Sequence, residues 1–328
     1  MSKIITVFGA TGNQGGSVVE AILTDKTLSR EFKIRGITRD VNKPAAQKLA
    51  SKGVELVVIE YPNILVSQLK ADMSSSSSVA PAVKDAHTVF LVTNFWESMS
   101  ADVEIAQGKA VVDASKAAGV EHIVFSSLID VTKASNGRLP NISHFDGKAR
   151  IEEYIRASGV AGTYVLPGMF MSGFTTMIRP NPPSEPAGYT LALPVDPNKA
   201  KAPLFAAAED MGKFVKAAIK NFPTQAGSRI LAATDYYTIH RLISEFSEVM
   251  GKPAQAVQIP DDKFKSFLSP VAAQELLENM KLLEDPGYYA GESLGASLAL
   301  LEEKPTTWKE FVEKHKEKWL HSSPSVTG

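Results

Sequence analysis

Short apolar, β-branched runs alternate with helical stripes over the first 167 residues. Ile4-Ile5-Thr6-Val7-Phe8 reads as a buried strand that ends at Gly9, and Val18, Val19, Ile22 and Leu23 then form one stripe of a helix over 16–23. Further strands are predicted from Phe32 to Thr38, Val54 to Ile59, Thr88 to Val92, His122 to Phe125 and Thr163 to Leu166, the last closed by Pro167. Between the fourth and fifth strands lies a helix with Ile105, Val111, Val112 and Ala118 on one face and Gly119 as its stop. Near-continuous apolar strands separated by helices predict a parallel sheet covered on both faces. The expected fold class is α/β, a doubly wound parallel Rossmann sheet.

Past Pro167 the texture changes. Residues 179–203 hold seven prolines, too dense for regular structure, and are expected to form a loop or crossover. Helices are expected over 205–221, 239–250 and 270–283, with a strand near Ile230 and a loop over 285–292 that carries Tyr288 and Tyr289. Thr307-x-x-Glu310, just after Pro305, is a capping box. Trp308, Phe311, Val312, His315 and Trp319 follow at helical spacing. They read as a helix docked on the core, with a partner-binding helix as the alternative. The organisation expected is a nucleotide-binding Rossmann domain over 1–167 and a smaller, mostly helical substrate or partner region over 168–328, with elements near 205–235 returning to the sheet. The serine run 74–78 is the one low-complexity piece, and there is no internal repeat.

Composition narrows the function classes. Among 328 residues, 44% are hydrophobic and 22% charged, ordinary values for a folded chain with a sizeable core. The 35 basic and 36 acidic residues nearly cancel, which argues against direct nucleic-acid binding. With no cysteine, disulfides, thiolate catalysis and zinc ribbons are excluded. His87, His122, His144, His240, His315 and His321 show no metal-ligand spacing, so no metal is expected. No apolar run approaches the roughly 20 residues that span a bilayer. A cytoplasmic protein that meets no membrane is the expectation, a monomer or homodimer, also nuclear if it is a regulator.

The strongest chemical signal is Gly9-Ala10-Thr11-Gly12-Asn13-Gln14-Gly15-Gly16, directly between the first strand and the first helix. Its spacing is G-x-x-G-x-x-G. Small residues there let the backbone turn tightly, approach a pyrophosphate and pack the helix on the sheet. The helix N-terminus offers unpaired N–H groups and the positive end of its dipole to the phosphates. A merely tight strand–helix turn is the bland alternative. The end of the second strand chooses the dinucleotide. An NAD site usually places a carboxylate there; this chain has Gly36-Ile37-Thr38-Arg39-Asp40, with Lys43 close behind. Arg39 can stack on adenine and bond a 2′-phosphate, which favours NADP(H) over NAD(H), although a surface arginine paired with Asp40 is the plainer reading.

Val92-Thr93-Asn94-Phe95-Trp96-Glu97-Ser98 after the fourth strand, and His144-Phe145-Asp146-Gly147-Lys148 before a helix with Ile151 and Tyr154, resemble the NmrA-like family. These are atypical members of the short-chain dehydrogenase/reductase superfamily. The resemblance runs from Ile4 to about Trp319 and looks nearest to the NADP-sensing branch. It implies NADP(H) as cofactor, with Gly9, Ala10, Thr11, Gly12, Asn13 and Gln14 on the pyrophosphate and Arg39, Asp40 and Lys43 around the adenosine phosphate. It also implies Thr93, Asn94 and Phe95 along the ribose and pyrophosphate, Lys148 near the nicotinamide ribose, and Met169, Phe170, Met171 and Ser172 around the nicotinamide. The pair that usually follows the third strand falls on Glu60-Tyr61 by direct counting. Asp72 and Met73 match the family's acidic turn better and are preferred. A lysine common in the helix after the fourth strand corresponds to Ala106 here.

Classical members of the superfamily use Tyr-x-x-x-Lys, in which the lysine lowers the tyrosine pKa and the tyrosine protonates the substrate oxygen. The equivalent spacing here is His144-x-x-x-Lys148: the lysine is kept and the tyrosine is gone. His144 could serve as an acid or simply bond a loop, and Ser127 at the end of the fifth strand, beside Ser126, could orient a substrate or merely cap the strand. The catalytic candidates are therefore Lys148, His144 and Ser127. Two functions stay open. One is an NADPH-dependent reductase of a small apolar organic substrate, suited by Phe95, Trp96, Met169, Phe170, Met171 and Phe174. The other is a non-catalytic NADPH/NADP sensor acting on a regulatory protein partner.

Overall fold

A computed structural model describes residues 2–58 and 75–320. Seven parallel strands form the central sheet: β1 (Lys3–Val7), β2 (Phe32–Thr38), β3 (Glu55–Val58), β4 (Thr88–Leu91), β5 (His122–Ser126) and β6 (Ala161–Pro167), completed by β11 (Arg229–Ala232) far along the chain. Their order is β11-β6-β5-β4-β1-β2-β3. The side chains explain why both faces are covered. Ile5 and Val7 pack against Val18, Val19 and Ile22 of the helix Asn13–Thr24 and against Phe214 and Val215 of the helix Ala207–Lys220. Phe8, Val89, Leu91 and Phe125 face the opposite layer, with Val111 and Val112 of the helix Ala101–Ala117 and Ile151 and Ile155 of the helix Ser143–Ser158. Alternation along each strand divides one apolar run between two helical layers.

The strand expected near Ile230 is β11, and it joins the main sheet. Ile230 pairs with Val165 of β6 in parallel register, so residues beyond 167 finish the sheet that residues 1–167 begin. The helix Ala207–Lys220 returns with it. Its Gly212 lies so near the first helix that a Cβ there would stand 2.2 Å from the Ser17 carbonyl oxygen.

The proline-rich segment departs from expectation. Instead of one loop it supplies three strands: β8 (Ile178–Pro180), β9 (Tyr189–Leu193) and β10 (Lys201–Phe205). The prolines sit where a missing N–H costs least. Pro180 ends an edge strand, β9 contains no proline, and Pro203 lies one residue before the part of β10 that pairs with β7 (Met169–Phe170). Together with β12 (Asp235–Thr238) and β13 (Ala254–Gln258) these strands make two three-stranded sheets, β12-β10-β7 and β13-β9-β8. The C-terminal region thus carries sheets as well as helices.

The rest of that region leans over the C-terminal ends of the main strands. Tyr289 donates its hydroxyl to the Leu166 carbonyl at 2.8 Å, and Asn141 donates its backbone N–H to Glu278 of the helix Pro270–Lys281 at 2.7 Å. The last helix, Trp308–His315, opens with the capping box formed at Thr307 and Glu310. Trp308 is fully buried and donates its indole N–H to the Leu242 carbonyl at 2.9 Å, so this helix docks on the core.

Candidate functional site

In the order β4-β1-β2, the chain reverses its progress across the sheet between β1 and β4, which opens a crevice at their C-terminal ends. The glycine turn after β1 and the Thr93 segment after β4 both enter it. Gly9 has φ of +62°, a conformation that favours glycine, and a Cβ there would stand 3.0 Å from the Val92 side chain. Gly12 is the N-cap of the first helix, makes no side-chain cap, and no acidic residue follows in the first turn. Gly15 is where helix and turn touch: a Cβ would stand 2.2 Å from the Gly9 carbonyl oxygen. Ala10 is buried, Thr11 and Asn13 are exposed, and Gln14 accepts the Ser126 hydroxyl at 2.7 Å. A helix N-terminus with no acidic residue in its first turn, beside a backbone turn that only small residues permit, is a fitting cradle for a pyrophosphate.

Beyond the turn, Arg39 follows β2 directly, exposed, and its Nη1 donates to Glu97 Oε1 at 2.6 Å. Asp40 uses Oδ1 to accept the Asn42 N–H at 2.8 Å, which turns the chain toward Lys43, the exposed N-cap residue of the helix Pro44–Ser51. Asp72 and Met73 lie outside the described residues.

Thr93 and Lys148 converge on a carboxylate that the sequence reading overlooked. Glu104 of the helix Ala101–Ala117 is fully buried, and its Oε1 accepts the Thr93 hydroxyl at 2.7 Å and the Lys148 ammonium. Its Oε2 is buried without a partner and lies 3.0 Å from where a Cβ on Gly147 would be. Gly108, one turn further on, faces Ile151 just as closely, so two glycines let the two helices approach until Glu104 reaches Lys148. A signal for Glu104 existed in the chain: it shares the i, i+4, i+7 stripe with Gly108 and Val111, a charge on an otherwise buried face. Ala106, at the lysine position, is exposed.

His144 and Lys148 are both buried, one turn apart on the same helix. His144 is bound to the C-terminal region, its Nδ1 2.6 Å from Glu275 Oε1, which also accepts the His144 backbone N–H. Burial pulls its pKa below the ordinary value, with Glu275 working in the opposite direction. In the neutral ring, a carboxylate at Nδ1 selects the tautomer with its proton on that nitrogen, which leaves Nε2 as an acceptor. The ring packs on Trp96 at 4.9 Å and Phe95 at 5.9 Å.

Ser127 turns the other way. Its hydroxyl donates at 2.6 Å to Oε2 of the buried Glu152, whose Oε1 receives the half-exposed Arg156 and Arg229, while Ser126 faces the glycine turn. Asn94 precedes the short helix Phe95–Ser98 and is exposed. Phe95, Met171 and Phe174 are core, Met169 and Phe170 are half-buried in β7, Ser172 is exposed, and Trp96 is 46% exposed. A separate cavity of about 800 Å³ beside Lys213, Lys304 and Lys314 contains none of these residues. Among the described residues no cluster of His, Asp or Glu could hold a metal, and no helix is long and apolar enough to cross a membrane.

Fold and site together define a protein with a Rossmann-type fold whose C-terminal region overhangs the crevice at the glycine turn. The model of the NmrA-like family matches residues 1–312, and the chain belongs to that family. It is 30% identical over 271 residues to the NmrA-like family domain-containing oxidoreductase malD of Malbranchea aurantiaca, covering 78% of this chain and 76% of the relative. The fold is shared with NmrA, a negative transcriptional regulator solved in complex with NADP (TM-score 0.77, 20% identity, 96% and 95% of the two chains). It is also shared with the triphenylmethane reductase of Citrobacter sp. complexed with NADP(H), at TM-score 0.71 and 19% identity over 95% of this chain and 99% of that one.

Proposed function

We propose that the protein is an NADP(H)-dependent oxidoreductase acting on a small, apolar organic substrate. The observation that carries the reading is the buried Thr93–Glu104–Lys148 cluster at the mouth of the β4 loop. A lysine ammonium held this firmly has its orientation settled before any ligand arrives, and preorganised donors need no rearrangement at the moment of reaction. When bound, NADPH would supply the hydride. Lys148 would hold the ribose hydroxyls of the nicotinamide half and put its charge beside the substrate oxygen. Trp96 and the half-buried Met169 and Phe170 would offer an apolar wall. Gly9 to Gln14 would take the pyrophosphate, and Arg39 the 2′-phosphate. One charge-assisted contact there contributes about 1.5–3 kcal/mol, roughly ten- to a hundredfold in affinity for NADPH over NADH.

A second reading, an NADPH/NADP sensor that changes its grip on a regulatory protein partner, draws on His144. The residue in place of the tyrosine is tied to Glu275 through Nδ1, so that nitrogen has no proton to spare for a substrate oxygen. Assays of NADPH oxidation against ketones, quinones and enones separate the readings. Substrate-dependent oxidation that falls at least a hundredfold in Lys148→Ala, with cofactor affinity falling much less, supports the reductase. The sensor reading requires no turnover in either protein and weaker NADP(H) binding in the variant. Robust turnover indifferent to Lys148 defeats both assignments. The reductase reading places the protein in the cytoplasm, as monomer or homodimer, and the sensor reading adds the nucleus.

A further inference from the structure

Arg39 and Glu97 come from loops on opposite sides of the glycine turn. Because the sheet runs β4-β1-β2, the segment after β2 that holds Arg39 and the segment after β4 that holds Glu97 flank the turn after β1. Their ion pair, 2.6 Å from Nη1 to Oε1, therefore reaches from one side of that turn to the other. Both side chains meet solvent, at 56% and 33% exposure. A carboxylate on a guanidinium N–H occupies a donor that a phosphate monoester would use. The two anions cannot share the same donor without repelling each other.

We propose that Glu97 is a specificity-determining residue, an internal competitor that holds Arg39 until a 2′-phosphate displaces it. The proposal rests on the assignment of Arg39 to the 2′-phosphate made above. It follows that Glu97 lowers the affinity for NADPH and leaves NADH, which has no group to contest Arg39, nearly untouched. The exchange favours the phosphate, which carries a charge of roughly −1.5 to −2 and three acceptor oxygens against one carboxylate. Glu97 therefore tunes the affinity rather than preventing binding. An exposed pair of this kind weakens a competing ligand by roughly two- to fivefold, and less as salt is raised.

The test is calorimetric titration of NADPH and NADH into the wild type, Glu97→Gln, Arg39→Ala and the double variant. The expected result is NADPH binding about two- to fivefold tighter in Glu97→Gln, NADH binding within experimental error of wild type, and no effect of Glu97→Gln in the Arg39→Ala background. The cycle isolates the competition, since Glu97 can compete only through Arg39. Unchanged or weaker NADPH binding in Glu97→Gln overturns the proposal. So does equal tightening for both nucleotides, or a gain that persists without Arg39, because either would make Glu97 a general repulsive charge. If Arg39→Ala keeps the preference for NADPH, the 2′-phosphate assignment itself falls. If Arg39→Ala loses the preference while Glu97→Gln changes nothing, that assignment stands and only the competitor is refuted.

Discussion

Gly9, Gly12 and Gly15 in the glycine turn are glycine for three different reasons, which makes paired substitutions informative. At Gly15, in the first turn of the helix Asn13–Thr24, an added Cβ would stand 2.2 Å from the Gly9 carbonyl oxygen, 2.5 Å from the Gly9 carbonyl carbon and 2.8 Å from the Phe8 oxygen. All three are backbone atoms, so the helix must lift off the turn by about 1 Å to reach normal contact. Overpacking of this sort costs about 1–3 kcal/mol, and the helix-propensity gain of alanine over glycine, about 1 kcal/mol, offsets only part of it. Gly12 differs. Its φ of −92° and ψ of 178° suit any residue, and its Cβ would stand 3.3 Å from the Gly9 oxygen, a contact that small shifts relieve. Gly15→Ala should therefore lower Tm, by roughly 1–2 °C for each kcal/mol lost in a chain this size, and weaken NADPH with it. Gly12→Val should keep Tm near the wild-type value yet abolish NADPH binding, because the branched side chain would take the pyrophosphate's place. Differential scanning fluorimetry and NADPH titration on both variants measure this. A Gly15→Ala protein as stable as wild type, or a folded Gly12→Val protein with undiminished NADPH affinity, would refute the reasoning.

Other outcomes follow from the buried polar groups. Lys148→Met leaves Glu104 buried without its cation and should destabilise by about 3–5 kcal/mol in urea unfolding; Glu104→Gln added to it should recover most of that lost stability without restoring turnover, and simple additivity would contradict the pairing. His122 is buried between Thr163 and the ring of Phe222, and burial lowers its pKa from 6.5 to about 4. The unfolded chain therefore binds the extra proton first, so stability is full above pH 6.5 and falls by about 3 kcal/mol toward pH 4; a His122→Gln variant should lose that part of the slope in denaturation curves.

Much of the site was legible because it rests on local rules. The turn from Gly9 to Gly16 declares itself by glycine between an apolar run and a helical stripe, and Lys148 by its place four residues after His144. Glu104, Glu97 and Glu275 were not legible as partners. Each meets its mate across a long separation in sequence, Glu275 reaching His144 over 131 residues, and no short-range pattern encodes such a meeting. Ser127 shows the same limit at smaller scale. Adjacent residues in a strand face opposite sides, so which of Ser126 and Ser127 meets the glycine turn depends on how the sheet is covered.

By itself the chain determined the alternation of buried strands and helices, hence the parallel sheet, the crevice-side turn and the capping box at Thr307. These follow from periodicity and from residues whose backbone preferences act within a few positions. Only the tertiary structure decided that β11 closes the main sheet, that prolines at strand ends and edges leave room for β8, β9 and β10, and that Glu104 stands beneath Lys148. Such outcomes depend on which surfaces meet, and in close-packed interiors two missing methyl groups, at Gly108 and Gly147, are enough to decide whether a carboxylate and an ammonium touch.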